Sequence, residues 1–181
     1  MAKNQTGSST ERSTHPLFAT LGAGSDQAEI FAYSVKVVCG RQTEAGCCCV
    51  AGVRPGVYST EVNIQNINVV TASVAKLVLP LINSGAVVGR EPMVVDAAAF
   101  ERQIDTIKLP PLGATMDDCC RIAELLLGAP PSGETAITIA ILTIVSLVEL
   151  SVSAVYTASP LSGDGVSIDV EYIPARRLRL R

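Results

Sequence analysis

Val166-Ser167-Ile168-Asp169-Val170-Glu171-Tyr172 alternates apolar and polar residues over its whole length. Successive side chains of a strand point to opposite faces, so this run puts Val166, Ile168, Val170 and Tyr172 on one face and Ser167, Asp169 and Glu171 on the other. That is the pattern of a half-buried strand in an antiparallel sheet. The turn signal Ser162-Gly163-Asp164-Gly165 precedes it.

The same period recurs towards the N-terminus. Phe31, Tyr33, Val35 and Val37 share one strand face, and Tyr58, Val62 and Ile64 another. Further strands are predicted near Val69 to Leu79, Pro92 to Asp96, Ile104 to Leu109, Ala136 to Val145 and Leu150 to Ala158, giving about eight in all. Turn signals such as Arg54-Pro55-Gly56 and Asn66-Ile67-Asn68 separate them. The fold class expected is all-β, a two-sheet antiparallel sandwich in jelly-roll or Greek-key order, with the strand order itself left open. Ala136 to Val145 is apolar on both faces, as a central strand covered on both sides would be, or one whose second face meets another subunit.

One short helix is expected near 115–127. Thr115 with Asp118 three residues on fits a helix start, Met116, Cys120, Ala123 and Leu127 recur at helical spacing, and Gly128 with Pro130 and Pro131 ends it. Cys119 and Cys120 then lie in the first turn, where the helix dipole favours thiolate. Asp117 and Asp118 read as capping acids, or as extra metal ligands.

Around the sandwich, residues 1–28 form a polar arm, 29–174 the domain and 175–181 a basic tail. The chain has 181 residues, 48% of them hydrophobic and only 17% charged, against about 25% charged in ordinary globular proteins. A surface short of charge implies partner surfaces. The net charge of -3 and the 4% aromatic content, with no Trp, argue against nucleic acid as partner. The arm holds no apolar run fit for a secretory signal, and the longest uncharged stretch, Thr135 to Val148, is too short to span a bilayer. Synthesis in the cytoplasm without membrane insertion is the expectation, with an extracellular or cell-surface location if the chain builds a filament.

The six cysteines are Cys39, Cys47, Cys48, Cys49, Cys119 and Cys120. Adjacent cysteines bond each other only through a strained ring, so each tends to seek a different partner. Disulfides within or between chains, a structural zinc site and buried free thiols all remain open. His15, the sole histidine, lies in the arm, which deprives Ser-His-Asp and Cys-His catalysis of a base, and Gly22-Ala23-Gly24 lacks the context of a nucleotide loop. No catalytic residue is assigned, and an enzyme is not expected.

Four of ten arginines, Arg176, Arg177, Arg179 and Arg181, fall in the last six residues, leaving a body with 10 basic against 17 acidic residues. Such a tail can dock on an acidic surface, including one on the next copy, and its alternation with Leu178 and Leu180 suits addition as an edge strand. In the arm, Leu17 and Phe18 form the compact apolar element, able to fill a pocket on a neighbour or to cover the chain's own sandwich.

The runs Val57-Tyr58-Ser59-Thr60-Glu61-Val62-Asn63-Ile64-Gln65-Asn66, Leu109-Pro110-Pro111, Ile144-Val145-Ser146 and Leu150-Ser151-Val152-Ser153-Ala154-Val155-Tyr156 resemble the sandwich of the sensory rhodopsin transducer family. That resemblance implies a non-enzymatic, oligomeric β-sandwich. The cysteine clusters are not part of the family's pattern, and its signalling role is not carried over. A looser similarity, in arrangement alone, is to bacterial endospore appendage subunits, in which a cysteine-bearing N-terminal segment links jelly-roll subunits through disulfides. The reading favoured is a structural subunit that associates with copies of itself through strand edges, arms and disulfides. The alternatives are a cytosolic cysteine-based metal-binding or redox-sensing module, with zinc as its cofactor, and a ligand-binding adaptor of transducer type.

Overall fold

The structure is a computed structural model and describes residues 17, 21, 29–43, 53–83, 85–87, 104–128 and 135–179. Among the described residues the strands and the full helix are, in chain order, β1 (Glu29–Gln42), β2 (Gly56–Gln65), β3 (Ala72–Asn83), β4 (Ala86–Val87), β5 (Ile104–Leu109), β6 (Ala114–Asp117), α1 (Cys119–Leu127), β7 (Thr138–Ser146), β8 (Ser151–Ser159), β9 (Ser167–Tyr172) and β10 (Arg176–Arg179), ten strands and one helix. Among the described residues this is three more strands than the sequence reading counts there, namely the short β4, β6 and β10. The expected strand at Pro92 to Asp96 lies outside the described residues.

All strand ladders are antiparallel. Sheet A has β3, β7 and β1 at its centre, β4 and β5 on the far side of β3, and β10 on the far side of β1. Sheet B runs from β6 and the end of β1 through β2 and β8 to β9. The sheets therefore share β1, whose residues Phe31 to Cys39 pair with β7 and whose residues Gly40 to Gln42 pair with β2. The corner falls at Gly40, where φ is +98° and an added Cβ would come within 2.7 Å of two carbonyl oxygens, those of Thr135 and Ala136. Glycine is the residue that takes this left-handed turn without strain.

The main core lies between the layers. Tyr33, Val35, Val37 and Cys39 of β1 and Ala140, Leu142 and Ile144 of β7 meet Val62 and Ile64 of β2 and Val152 and Ala154 of β8. The period-two reading of β1 and β2 thus identifies the inward side chains correctly. Thr60, fully buried, continues the contact where the β1–β2 ladder stops: its hydroxyl donates to the Val38 carbonyl (3.1 Å) and accepts from the Val38 amide (3.0 Å). On the outer face of sheet A, Ile30, Ala75, Leu77 and Val145 form a second cluster with Leu17 and Leu21. β7 is accordingly central and packed on both faces, as its apolar run requires.

The helix begins later than its sequence suggests. Thr115 and Met116 belong to β6, where Ala114 to Asp117 pair with β2, and Asp118 is the N-cap, accepting from the Arg121 amide at 2.8 Å. A four-residue ladder has displaced the Thr115 cap. The face it buries is not the one Met116 and Cys120 begin: Ile122 is buried, Cys119, Leu125 and Leu126 pack on the core, and Met116 and Cys120 are exposed. Gly128 ends the helix as expected, in a left-handed conformation with its amide on the Glu124 carbonyl.

The largest correction concerns the stretch that first indicates the fold. β9 is a strand and pairs with β8, yet all six of its residues are exposed. Val166, Ile168, Val170 and Tyr172 retain 62 to 66% of their accessible surface. Alternation correctly sorts these side chains by face but does not supply a layer to cover them.

Candidate functional site

Three places gather the residues that carry chemistry or contact: the cysteine corner, a buried charged cluster, and the β9–β10 margin. At the first, Cys39 lies one residue before the Gly40 corner and Cys119 opens α1. Their sulfurs are bonded at 2.06 Å with Cα atoms 5.6 Å apart, closing a span of 80 positions. The bond fastens the helix N-terminus to the strand shared by both sheets. Two of the six candidate thiols are thereby consumed within the chain and have no thiolate for a metal. Cys120 is free and exposed, while Cys47, Cys48 and Cys49 lie outside the described residues. Among the described residues no group of three or more His, Cys, Asp or Glu side chains is arranged to hold a metal ion. Asp118 serves as the cap, one of the two roles open to it; Asp117 does something else.

Asp117 is 1% exposed and accepts from the Lys76 ammonium at 2.8 Å. Lys76, itself 2% exposed, lies on the inward face of β3 between Val74 and Val78 and also reaches Asp105 on β5 at 3.0 Å. Asp105 continues to Arg121 (2.8 Å) and Arg121 to Glu124 (2.7 Å). This chain of ion pairs joins sheet A to sheet B and to α1, and it leaves Asp117 Oδ2 without a hydrogen-bond partner. Burial pushes the Asp105 carboxyl up, but hydrogen bonds and charge from Lys76 and Arg121 outweigh it and hold the group below the usual carboxylate range. Hydrogen bonds to Glu124 and Asp105 raise Arg121. Sequence reading missed Lys76 because lysine is read as exposed. The available signal was its phase, since Lys76 shares parity with Ala72, Val74 and Val78 in a strand buried on that face.

At the third place the two terminal strands lie consecutively. Ser167, Asp169 and Glu171 pair opposite Ala158, Tyr156 and Ala154, so they take the inward parity of sheet B, while Ile168, Val170 and Tyr172 take the outward one. The inward side faces a groove of about 190 Å³ lined by Val38, Tyr58, Thr60, Tyr156 and Asp169 rather than packed core. Small-molecule pockets usually measure about 300–1,000 Å³. Tyr156 donates to Glu171 at 3.3 Å, and burial together with the Glu171 carboxylate pushes its hydroxyl up to about 12.

The basic tail adds to the chain's own sheet. Arg176, Arg177, Leu178 and Arg179 pair with Ala32, Phe31, Ile30 and Glu29, and all four are exposed. Arg177 stacks on the Phe31 ring at 5.4 Å and lies 3.7 Å from Glu149. Of the other assembly candidates, Leu17 is buried in the second cluster of its own sandwich, and Phe18 and Arg181 lie outside the described residues. Among the described residues no helix is long and apolar enough to cross a membrane.

No family model matches the chain, and no curated protein matches it either. Among solved structures it is similar to the crystal structure of Thermotoga maritima 1070, with 10% identity over 83% of this chain and 96% of that one and a TM-score of 0.44. At that score the likeness carries no argument.

Proposed function

We propose that the protein is a non-enzymatic structural subunit that associates with copies of itself, in a closed oligomer or a filament. The observation that carries this reading is β9, a strand that among the described residues pairs along one edge only and holds a row of apolar side chains open to water. Proteins guard such edges with charge, proline, bulges or a covering element, because an open strand recruits other chains. Here both strand faces are uncovered, which makes sense when the cover comes from a partner. The low charge content points the same way.

Because Cys39 and Cys119 are bonded within the chain, any covalent link between copies falls to Cys120 and to Cys47, Cys48 and Cys49. An intrachain disulfide also suits an oxidising environment more than a reducing cytosol. A second reading, a redox-sensing module, is favoured by the exposed Cys120 thiol next to a disulfide-bonded cysteine.

The mass of the native particle, followed across concentration with and without reductant, tests the first reading. Assemblies that persist in reductant support non-covalent association, and a ladder on non-reducing denaturing gels that collapses on reduction adds the disulfides. A species of 18.9 kDa at every concentration overturns the proposal.

A further inference from the structure

β9 and β10 each form the last strand of a sheet, and among the described residues each pairs along one side only. The link between them, Ile173 to Ala175, allows a reach of roughly 13 Å, close to the spacing of about 10 Å between packed sheets. Two open backbone edges therefore lie on one flank of the molecule.

Their side chains are complementary in charge and in phase. On β9, Asp169 and Glu171 take the inward parity, with Ile168, Val170 and Tyr172 outward. On β10, Arg177 and Arg179 pair opposite Phe31 and Glu29, the parity of the inward-facing Tyr33 and Val35; Arg176 and Leu178 take the other face with Ala32 and Ile30. When β9 of one molecule lies beside β10 of another with inward faces matched, the acids meet Arg177 and Arg179, and the exposed apolar row meets Leu178. Opposite charges directly across a strand pair are favourable and like charges are not. Two β9 edges brought together would oppose acid to acid, and two β10 edges arginine to arginine.

We infer that β9 of one copy pairs with β10 of a second copy, so that sheet B of the first runs on into sheet A of the second. This inference rests on the self-association reading and specifies its surface. The partner is a second copy of the chain, recognised by backbone hydrogen bonds between the edges and by acid–arginine pairing on one face.

The test uses the full chain in sedimentation velocity across concentration. One variant carries Asp169→Lys and Glu171→Lys. The other carries Arg177→Glu and Arg179→Glu, the two arginines of the inward face, and its melting temperature is measured to show that the fold survives loss of the Phe31 contact. Each variant alone is expected to associate at least tenfold more weakly than the wild type, while a mixture of the two regains assembly, because a basic β9 now meets an acidic β10 and an acidic β9 a basic β10. A third variant, Ile168→Thr with Val170→Thr, removes only side chains already exposed and should weaken association with an unchanged melting temperature. If the wild type assembles and all three variants assemble equally well, the edge pairing is wrong while self-association stands. If the wild type is monomeric throughout, both are wrong.

Discussion

Replacing Lys76 with Met should cost far more than the length of one ion pair suggests. The ammonium is 2% exposed and serves Asp117 at 2.8 Å and Asp105 at 3.0 Å. Asp105 retains Arg121. Asp117, 1% exposed and with Oδ2 already unpartnered, loses its neutralising charge. Removing one partner of a buried pair typically costs about 3–5 kcal/mol, because the remaining charge is left desolvated. For a chain of 181 residues, where each kcal/mol moves the midpoint by about 2–4 °C, the melting temperature should fall by roughly 6–20 °C. Lys76→Met combined with Asp117→Leu removes the stranded charge along with its partner, and such apolar replacements of buried pairs are often neutral or stabilising. The double variant should therefore be more stable than the single one. Urea and thermal unfolding at pH 7, followed by far-ultraviolet circular dichroism, measure both. A single-variant cost below about 1 kcal/mol, or a double variant no better than the single, would refute the buried clamp.

Three other outcomes can be checked in the same assays. Asp105, whose folded carboxyl is held below its ordinary value of 3.8, contributes stability that is present above that value and lost as pH falls through the lower folded one. The gap between wild type and Asp105→Asn should therefore stay level from neutral pH down to mild acid and close only below about 4; a gap that closes near neutrality contradicts this. Asn66 is fully buried and donates from Nδ2 to the carbonyls of Val70, Leu109 and Pro110, so Asn66→Ala should cost about 2–4 kcal/mol by stranding them. Replacing Cys39 and Cys119 together by Ala opens a loop of 80 positions, for which loop entropy gives about 4.5 kcal/mol and measured cases about 2–4; adding reductant to the wild type should reproduce the loss.

Much of the sandwich was legible because burial imposes period two on β1 and β2, where the inward residues so read pack in the core, and because a run apolar on both faces marks β7 as a strand covered on both sides. What escaped depends on distant partners. Ala114 to Asp117 carries a helix-start signal that pairing with β2 overrides. The Cys39–Cys119 bond joins positions whose proximity only the assembled sheets create. Lys76 was hidden by its residue type, and β9 by the fact that alternation records which residues share a face but not whether anything covers it. The arginine tail was readable as an edge strand, though not as one that completes its own sheet.

That completion has a consequence for how the chain reaches its fold. β1 gains its final neighbour only from β10, with Glu29 set against Arg179 and Ile30 against Leu178. The first strand must wait for the last, and contacts of such long range must meet the cost of ring closure before they are rewarded, which slows assembly of β-rich chains. The same adjacency sets the end of β10 beside Ile30, on which Leu17 and Leu21 pack, so a linker from β10 to the chain ahead of Leu17 could join the two and the break could move to an exposed turn such as Ser162 to Gly165. In such a permuted chain the slowest contact to find becomes one of the quickest, while every ladder in the finished sandwich stays as it is.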